Sequence, residues 1–79
     1  MGAMDFKLDA VPLGQEVVLA PIDHPMRRRL AELGIREGAR LRITQRTSGG
    51  GRVIDLDHTR YAIDGRTASE LIVRPVQEA

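Results

Sequence analysis

Two pairs of adjacent carboxylate and imidazole side chains are the first candidates for chemistry in this chain: Asp23 with His24, and Asp57 with His58. Carboxylate and imidazole ligands together suit divalent iron, zinc or manganese. Adjacent residues on a strand point to opposite faces, so neither pair obviously converges on one ion. His24 also fits the N-cap of a helix that begins at Pro25, and His58 fits a turn. We therefore predict no specific metal site, no cofactor and at most adventitious metal binding.

Signatures of catalysis are nearly absent from the 79 residues. The chain has no cysteine nucleophile, and neither Ser48 nor Ser69 lies in a Gly-x-Ser-x-Gly context. The glycine run 49–51 has no following helix that would aim N–H groups at a phosphate, and its composition predicts a mobile hairpin tip. We predict a protein without catalytic residues, and not an enzyme.

The segment 25–38 predicts one short helix followed by a turn. Proline lacks an N–H and has a fixed φ, so Pro25 fits the first helical position and His24 the N-cap. Gly34 then ends the helix, because glycine reaches the left-handed conformation without steric cost.

The helix has one apolar stripe and one charged face. At roughly 100° per residue, the residues expected to be buried together are Met26, Leu30 and Leu33. Arg28 and Glu32 point away from that stripe as an i,i+4 pair. The cluster Arg27 to Arg29 fits either a solvated face or a docking site.

Period-two alternation and turn residues predict five short strands, at 16–22, 40–46, 53–57, 61–64 and 71–74. Thr67 and Glu70 have the spacing of a capping box, which predicts one helical turn at 67–70. Short strands, tight turns and a single α-helix between strands one and two favour a mainly β protein that closes into a small five-stranded barrel.

The register of the hairpin formed by the strands at 40–46 and 53–57 can be constrained, because successive side chains of a strand point to opposite faces. Ile43 and Leu56 must share a face. A four-residue tip at 48–51 sets Arg42 opposite Asp57, whereas a two-residue tip sets it opposite Asp55. In either register opposite charges face each other on the solvent side, which supports the hairpin.

Composition limits the partners. Twelve basic and eleven acidic residues give a net charge of +1, and there are only two aromatic residues, Phe6 and Tyr61. We therefore predict no binding of nucleic acid, which small barrels achieve with basic grooves and aromatic platforms. The absence of cysteine and of any long apolar run favours a soluble, cytoplasmic protein. We interpret residues 1–4 as an expression-tag remnant, 5–76 as one domain and 77–79 as a C-terminal tail.

Several segments together resemble the FeoA family of ferrous-iron transport accessory proteins. The most specific is the run Arg28-Arg29-Leu30-Ala31-Glu32-Leu33-Gly34, followed at fixed spacing by Gly38-Ala39-Arg40-Leu41. Leu13-Gly14-Gln15 and the closing Ala68-Ser69-Glu70-Leu71-Ile72-Val73 add to it. The resemblance covers about residues 5–76, and the chain departs from the family pattern at Asp64-Gly65 and in its triple-glycine tip.

The resemblance implies an SH3-like barrel with one extra helix, shared with the C-terminal domain of iron-dependent repressors. It also implies that the chain is a cytoplasmic partner of FeoB, a membrane transporter that carries a GTP-binding domain and moves Fe(II) inward. The chain would then meet a membrane only through FeoB. The family has no established catalytic residue. On this basis we expect an adaptor that affects the assembly or nucleotide cycle of FeoB.

A partner needs exposed groups that are held in place by the elements beneath them. The residues that we expect to make such polar contacts are Arg28, Arg29, Glu32, Arg42 and Arg46. Two other functions stay open from the sequence, a module that senses Fe(II) or another transition metal and, less favoured, a nucleic-acid-binding or repressor-type domain. Weak self-association is also left open.

Overall fold

The computed structural model describes residues 5–76, which form one antiparallel six-stranded sheet with two short α-helices. The expected tag remnant at 1–4 and tail at 77–79 lie outside the described residues. The strands are β1 (Phe6–Lys7), β2 (Glu16–Leu19), β3 (Arg40–Arg46), β4 (Arg52–Leu56), β5 (Thr59–Ile63) and β6 (Ile72–Pro75). The α-helices are α1 (Arg27–Glu32) and α2 (Gly65–Glu70), and 3-10 turns cover Leu8–Ala10 and Ser48–Gly50.

The sheet is open, which corrects the predicted five-stranded closed barrel with one helix. Its strand order is β1-β6-β2-β3-β4-β5, and no pairing within residues 5–76 joins the two edge strands β1 and β5. The prediction missed β1 because this strand is two exposed residues long and has no alternation to reveal it. The position of α1 between the first two long strands is confirmed.

One hydrophobic cluster lies beneath the sheet and both helices. Its most deeply buried members come from β2, β3, β4 and β6, from α2 and from the connections between these elements. They include Leu8, Val17, Leu19, Ile35, Leu41, Ile43, Ile54, Ala68, Leu71 and Val73. Aliphatic side chains make up this core almost entirely, with Tyr61 packed against it from the rim.

Up to Ile43 the hairpin of β3 and β4 has the register predicted for the two-residue tip, although its connection is five residues long. Arg42 lies opposite Asp55 and Ile43 opposite Ile54, so the expected pairing of Ile43 with Leu56 is wrong, although both are buried on one face. Beyond Ile43 the register shifts by one residue at a β-bulge, and Arg46 lies opposite Arg52. The connection from Arg46 to Arg52 is five residues long. The extra residue at the bulge allows this length while Ile43 and Leu56 stay on the same buried face.

The triple-glycine tip packs against α2, which corrects the prediction of a mobile tip. A Cβ atom at Gly65, the first residue of α2, would overlap the carbonyl oxygen of Gly49. Arg52 also holds the tip, because its Nη1 donates to the carbonyl oxygens of Gly50 (2.8 Å) and Gly51 (2.9 Å). Its Nη2 donates to the carbonyl oxygen of Asp9 at 2.8 Å. The hairpin end is therefore anchored at both sides.

Helix α2 begins two residues earlier than predicted. Asp64 is its N-cap, and the Oδ1 of Asp64 accepts the backbone N–H of Thr67 at 3.3 Å. The interaction with the Thr67 side chain is the main reason that the pKa of Asp64 lies below its ordinary value, and the hydrogen bond from the Thr67 N–H lowers it further. Thr67 itself is buried, so it fills the core side of the helix and does not cap it.

Candidate interaction surface

Helix α1 starts at Arg27 with Met26 as its N-cap, so the predicted N-cap at His24 and first helical position at Pro25 are wrong by two residues. His24 nevertheless orders the approach to the helix. Its Nδ1 accepts the backbone N–H of Met26 at 3.0 Å, and its carbonyl oxygen accepts the N–H of Arg27. A histidine ring thus takes the place that an Asn or Asp side chain has in many turns.

The end of α1 is fixed by Gly34, as predicted. Gly34 has a φ of +92° and donates its N–H to the carbonyl oxygen of Ala31, while Ile35 donates to that of Leu30. This pair of hydrogen bonds is a Schellman motif, and the side chains of Leu30 and Ile35 are both buried. The motif locks the helix to the core at its C-terminal end.

The apolar stripe of α1 is only partly covered, which corrects the expectation that all three residues are buried. Leu30 is 5% exposed, but Met26 is 42% and Leu33 49% exposed. These residues line one side of a cavity of about 200 Å³, whose other side is formed by β5 and α2. We call it the apolar groove; it is lined by Met26, Leu30, Leu33, Ile35, Tyr61, Ala62, Ile63, Asp64 and Thr67.

Tyr61 stabilises the wall of the apolar groove. Its hydroxyl donates to the carbonyl oxygen of Leu33 at 2.7 Å and so joins β5 to the last turn of α1. The carbonyl groups at the C-terminal end of a helix have no hydrogen-bond partner within the helix, and that of Leu33 is one of them. The hydrogen bond keeps the exposed side chain of Leu33 at a fixed place beside the groove.

A second cavity lies along the opposite flank of α1. At roughly 100° per residue, Arg27 and Ala31 point to one side of Leu30, and Met26, Arg29 and Leu33 to the other. This second cavity, of about 410 Å³, is the arginine pocket, lined by Pro21, Ile22, Arg27, Arg28, Ala31, Arg36 and Glu37. The helix therefore separates an apolar groove from a positively charged pocket.

The five residues predicted to bind a partner form two separate groups. Arg28, Arg29 and Glu32 are exposed within α1, and Arg42 and Arg46 are exposed on β3. No hydrogen bond or ion pair between side chains of residues 5–76 joins the two groups, and the predicted pair of Arg28 with Glu32 is not formed.

His24, before α1, contacts Glu70, at the end of α2. No sequence pattern indicated this contact. The Nε2 of His24 lies 2.6 Å from the Oε1 of Glu70, and the side chain of His24 is 10% exposed. Because Nδ1 already accepts the N–H of Met26, the ring proton is on Nε2 and is donated to Glu70. The two residues are 46 positions apart, beyond the reach of any local motif.

The two carboxylate–imidazole pairs lie in different surroundings. Both ring nitrogens of His24 are engaged by Met26 and Glu70. Asp57 and His58 have φ values of 53° and 64° and form the two-residue turn between β4 and β5, which is the role expected of His58. Across residues 5–76 no three His, Cys, Asp or Glu side chains are grouped as they would be to hold an ion.

Neither helix within the described part of the chain has the length and apolar character needed to cross a bilayer.

Comparison with known sequences gives one family. The model of the FeoA domain matches residues 6–75. No curated protein matches the sequence.

Solved structures share the fold at low sequence identity. The crystal structure of an iron uptake regulatory protein (FeoA) superposes with a TM-score of 0.78 at 24% identity, covering 90% of this chain and 96% of that one. The solution structure of FeoA from Chlorobium tepidum gives 0.81 at 21% identity, covering 91% and 71%. These similarities support a small SH3-like fold, as predicted.

Part of a longer protein has the same fold. A manganese-dependent transcriptional repressor superposes with a TM-score of 0.85 at 22% identity, and 96% of this chain matches 44% of the repressor. The repressor thus has a large part that this chain does not match.

Proposed function

Because the chain belongs to the FeoA family, we propose that it is a non-catalytic accessory protein of ferrous-iron uptake that binds a FeoB-type transporter on the cytoplasmic side. Binding affects the assembly or the nucleotide cycle of the transporter. One structural neighbour is itself described as an iron uptake regulatory protein, which supports the link to iron uptake.

The observation that carries this proposal is the half-exposed apolar stripe of α1 beside its arginines. Met26 and Leu33 are large apolar side chains that the described fold leaves about half exposed. Apolar side chains surrounded by arginine are typical of the centre of a protein interface, where Met and Arg are enriched. A folded partner that covers Met26 and Leu33 removes apolar area from water and meets Arg28 and Arg29 at the rim.

The anchoring of α1 suits such a role. The Schellman motif at Gly34, the Tyr61 hydroxyl and the His24 ring each fix one part of the helix. A surface that is already ordered loses little conformational entropy when it binds, which favours affinity. On β3, Arg42 and Arg46 offer a second, flatter polar surface that contributes less, because Arg42 faces Asp55.

Co-purification with the detergent-solubilised transporter tests this proposal. We expect the wild-type protein to elute with the transporter and to change its rate of GTP hydrolysis. Absence of association at micromolar concentrations of both proteins would contradict the proposal. Calorimetry with Fe(II) under anaerobic conditions provides the complementary test, since a tight stoichiometric site would favour a metal sensor instead.

A further inference from the structure

We propose that the arginine pocket is a binding site for an acidic segment of a protein partner. Such a segment carries carboxylate side chains next to a medium-sized apolar side chain. This proposal rests on the proposed function, because it specifies the chemistry of the segment by which the partner binds. The pocket itself has this chemistry whichever protein supplies the segment.

Among the described residues, three guanidinium groups surround the pocket without a carboxylate partner. Within residues 5–76 the ion pairs are His24 with Glu70, Arg66 with Glu70, and Arg74 with Asp5. Arg27, Arg28 and Arg36 belong to none of these pairs. The one carboxylate in the lining, Glu37, leaves a charge of +2 around the cavity. An anion is therefore attracted to it.

The floor of the pocket is apolar. Ile22 is buried and Ala31 half-buried, and Pro21 completes the floor. A volume of about 410 Å³ accommodates more than a bare anion. Guanidinium groups at the rim and an aliphatic floor together suit a ligand that has a charged end and an apolar body.

Arginine side chains bind carboxylates in a defined geometry. Arginine presents planar, paired N–H donors that match a carboxylate in a bidentate contact, and it is more weakly hydrated than lysine. All three pocket cations are arginines, although this alone carries little weight in a chain with a single lysine, Lys7. The convergence of three of them on one concavity is the stronger observation.

An acidic protein segment fits better than a membrane or a nucleic acid. The apolar side chains of the pocket, among them the buried Ile22, line a concavity, whereas a bilayer surface is contacted by protruding side chains. The described lining contains no aromatic side chain on which a base stacks. The net charge of +1 also provides no general attraction for either polyanion.

Titration of the ¹⁵N-labelled protein with a capped tripeptide, acetyl-Asp-Leu-Glu-amide, tests the site by NMR. We expect amide shifts that saturate in the millimolar range and map to Ile22, Arg27, Arg28, Ala31 and Arg36. The isosteric acetyl-Asn-Leu-Gln-amide should cause none of them. Absence of saturating shifts with the acidic tripeptide, or shifts that map elsewhere, would overturn the inference.

Substitutions separate the pocket from the general surface charge. In the double variant Arg27→Gln/Arg36→Gln we expect at least about tenfold weaker binding of the tripeptide, because charge-assisted contacts are lost. The matched control Arg60→Gln removes an exposed arginine of β5 that lies outside the pocket, and we expect it to bind as the wild type does. Equal binding by the double variant would contradict the assignment. The amide spectrum of each variant reports whether the fold is intact.

Two further titrations distinguish the source of the anion. If inorganic phosphate gives the same shifts with the same affinity as the tripeptide, the pocket recognises charge alone and the inference fails. It also fails if vesicles with anionic headgroups, and not the peptide, perturb these residues. Tripeptide binding without association of the intact transporter would retain the pocket and reject the proposed function. Transporter binding that is unaffected by Arg27→Gln/Arg36→Gln would reject the transporter as the source of the acidic segment.

Discussion

The Nε2 of His24 donates a hydrogen bond to the Oε1 of Glu70 over 2.6 Å and thereby ties the segment before α1 to the last residue of α2. The ring of His24 also accepts the N–H of Met26, so one side chain orders the beginning of α1 and its distance from α2. Arg66 approaches the same carboxylate at 3.7 Å, but the Arg66 side chain is 86% exposed and adds little.

Removal of the Glu70 carboxylate tests this connection. We expect Glu70→Ala to lower the free energy of unfolding by about 1 kcal/mol, since a largely buried imidazole N–H loses its acceptor. Glu70→Gln keeps an acceptor oxygen and should lose less than half of that. Urea denaturation provides the measurement, with Glu32→Ala, at an exposed position without an ion pair in residues 5–76, as the control. Equal effects of Glu70→Ala and Glu32→Ala would refute the role of the contact.

The hairpin tip lies so close to α2 that replacing Gly65 by alanine should change stability in the direction opposite to that expected from helix propensity. Replacing glycine by alanine in a helix ordinarily stabilises it by up to about 1 kcal/mol. For Gly65→Ala we expect a loss of about 2 kcal/mol instead, because the new Cβ would overlap the carbonyl oxygen of Gly49. Thermal or urea denaturation gives the sign directly. Ser69→Ala in the same helix serves as the control and should change stability little, and a stabilised Gly65→Ala variant would show that the tip is not packed on α2.

The capping carboxylate of α2 predicts a pH dependence. The pKa of Asp64 is lowered in the folded protein, chiefly by its interaction with the Thr67 side chain and further by the Thr67 N–H. The folded state therefore binds this proton less readily than the unfolded state. The stabilisation is fully present above the unfolded value near 3.8 and is lost as the pH falls through the lower folded pKa. We expect the urea midpoint of the wild type to exceed that of Asp64→Asn at about pH 6, and the difference to shrink on acidification to about pH 2.5. A difference that is independent of pH would contradict the carboxylate cap.

The exposed apolar residues of α1 should matter for binding and not for folding. We expect Met26→Ser and Leu33→Ser to cost less than about 1 kcal/mol of stability, since each side chain is already about half exposed. Each should weaken association with the transporter by tenfold or more if it lies at the centre of the interface. Leu13→Ser is the matched control, because Leu13 is 50% exposed and lies outside the apolar groove. An effect of Leu13→Ser equal to that of Leu33→Ser would argue against a specific site.

Features that depend on residues close together in the sequence could be predicted from it. Gly34 ends α1 because the chain must turn there through a positive φ, and the alternation around Ile43 gives the buried face of β3. The location of α1 between two strands followed from the same signals. Its start was misplaced because His24 provides an acceptor without being the N-cap, a distinction that residue type does not show.

Features that depend on distant contacts were not predictable in this way. The alternation of side chains alone left two registers open, of which the one with Arg42 opposite Asp55 is observed. It gave no sign of the bulge after Ile43, which shifts the register towards the tip. The packing of Gly65 on the hairpin tip joins residues that are remote in sequence, as does the contact of His24 with Glu70. The exposure of Met26 and Leu33 depends on whether another element covers the stripe, which helical periodicity does not tell. The apolar groove and the arginine pocket are likewise products of tertiary structure.

The most direct test of the account is a calorimetric titration of the detergent-solubilised FeoB-type transporter with the wild-type protein and with Arg28→Glu/Arg29→Glu, which reverses the charge of the exposed face of α1. We predict saturable binding of the wild type and at least about a hundredfold loss of affinity in the double variant, while its stability is retained. The variant Arg42→Glu/Arg46→Glu, on β3, should lose less. Wild-type affinity of the α1 variant would contradict the central claim that this helix is the surface presented to the transporter.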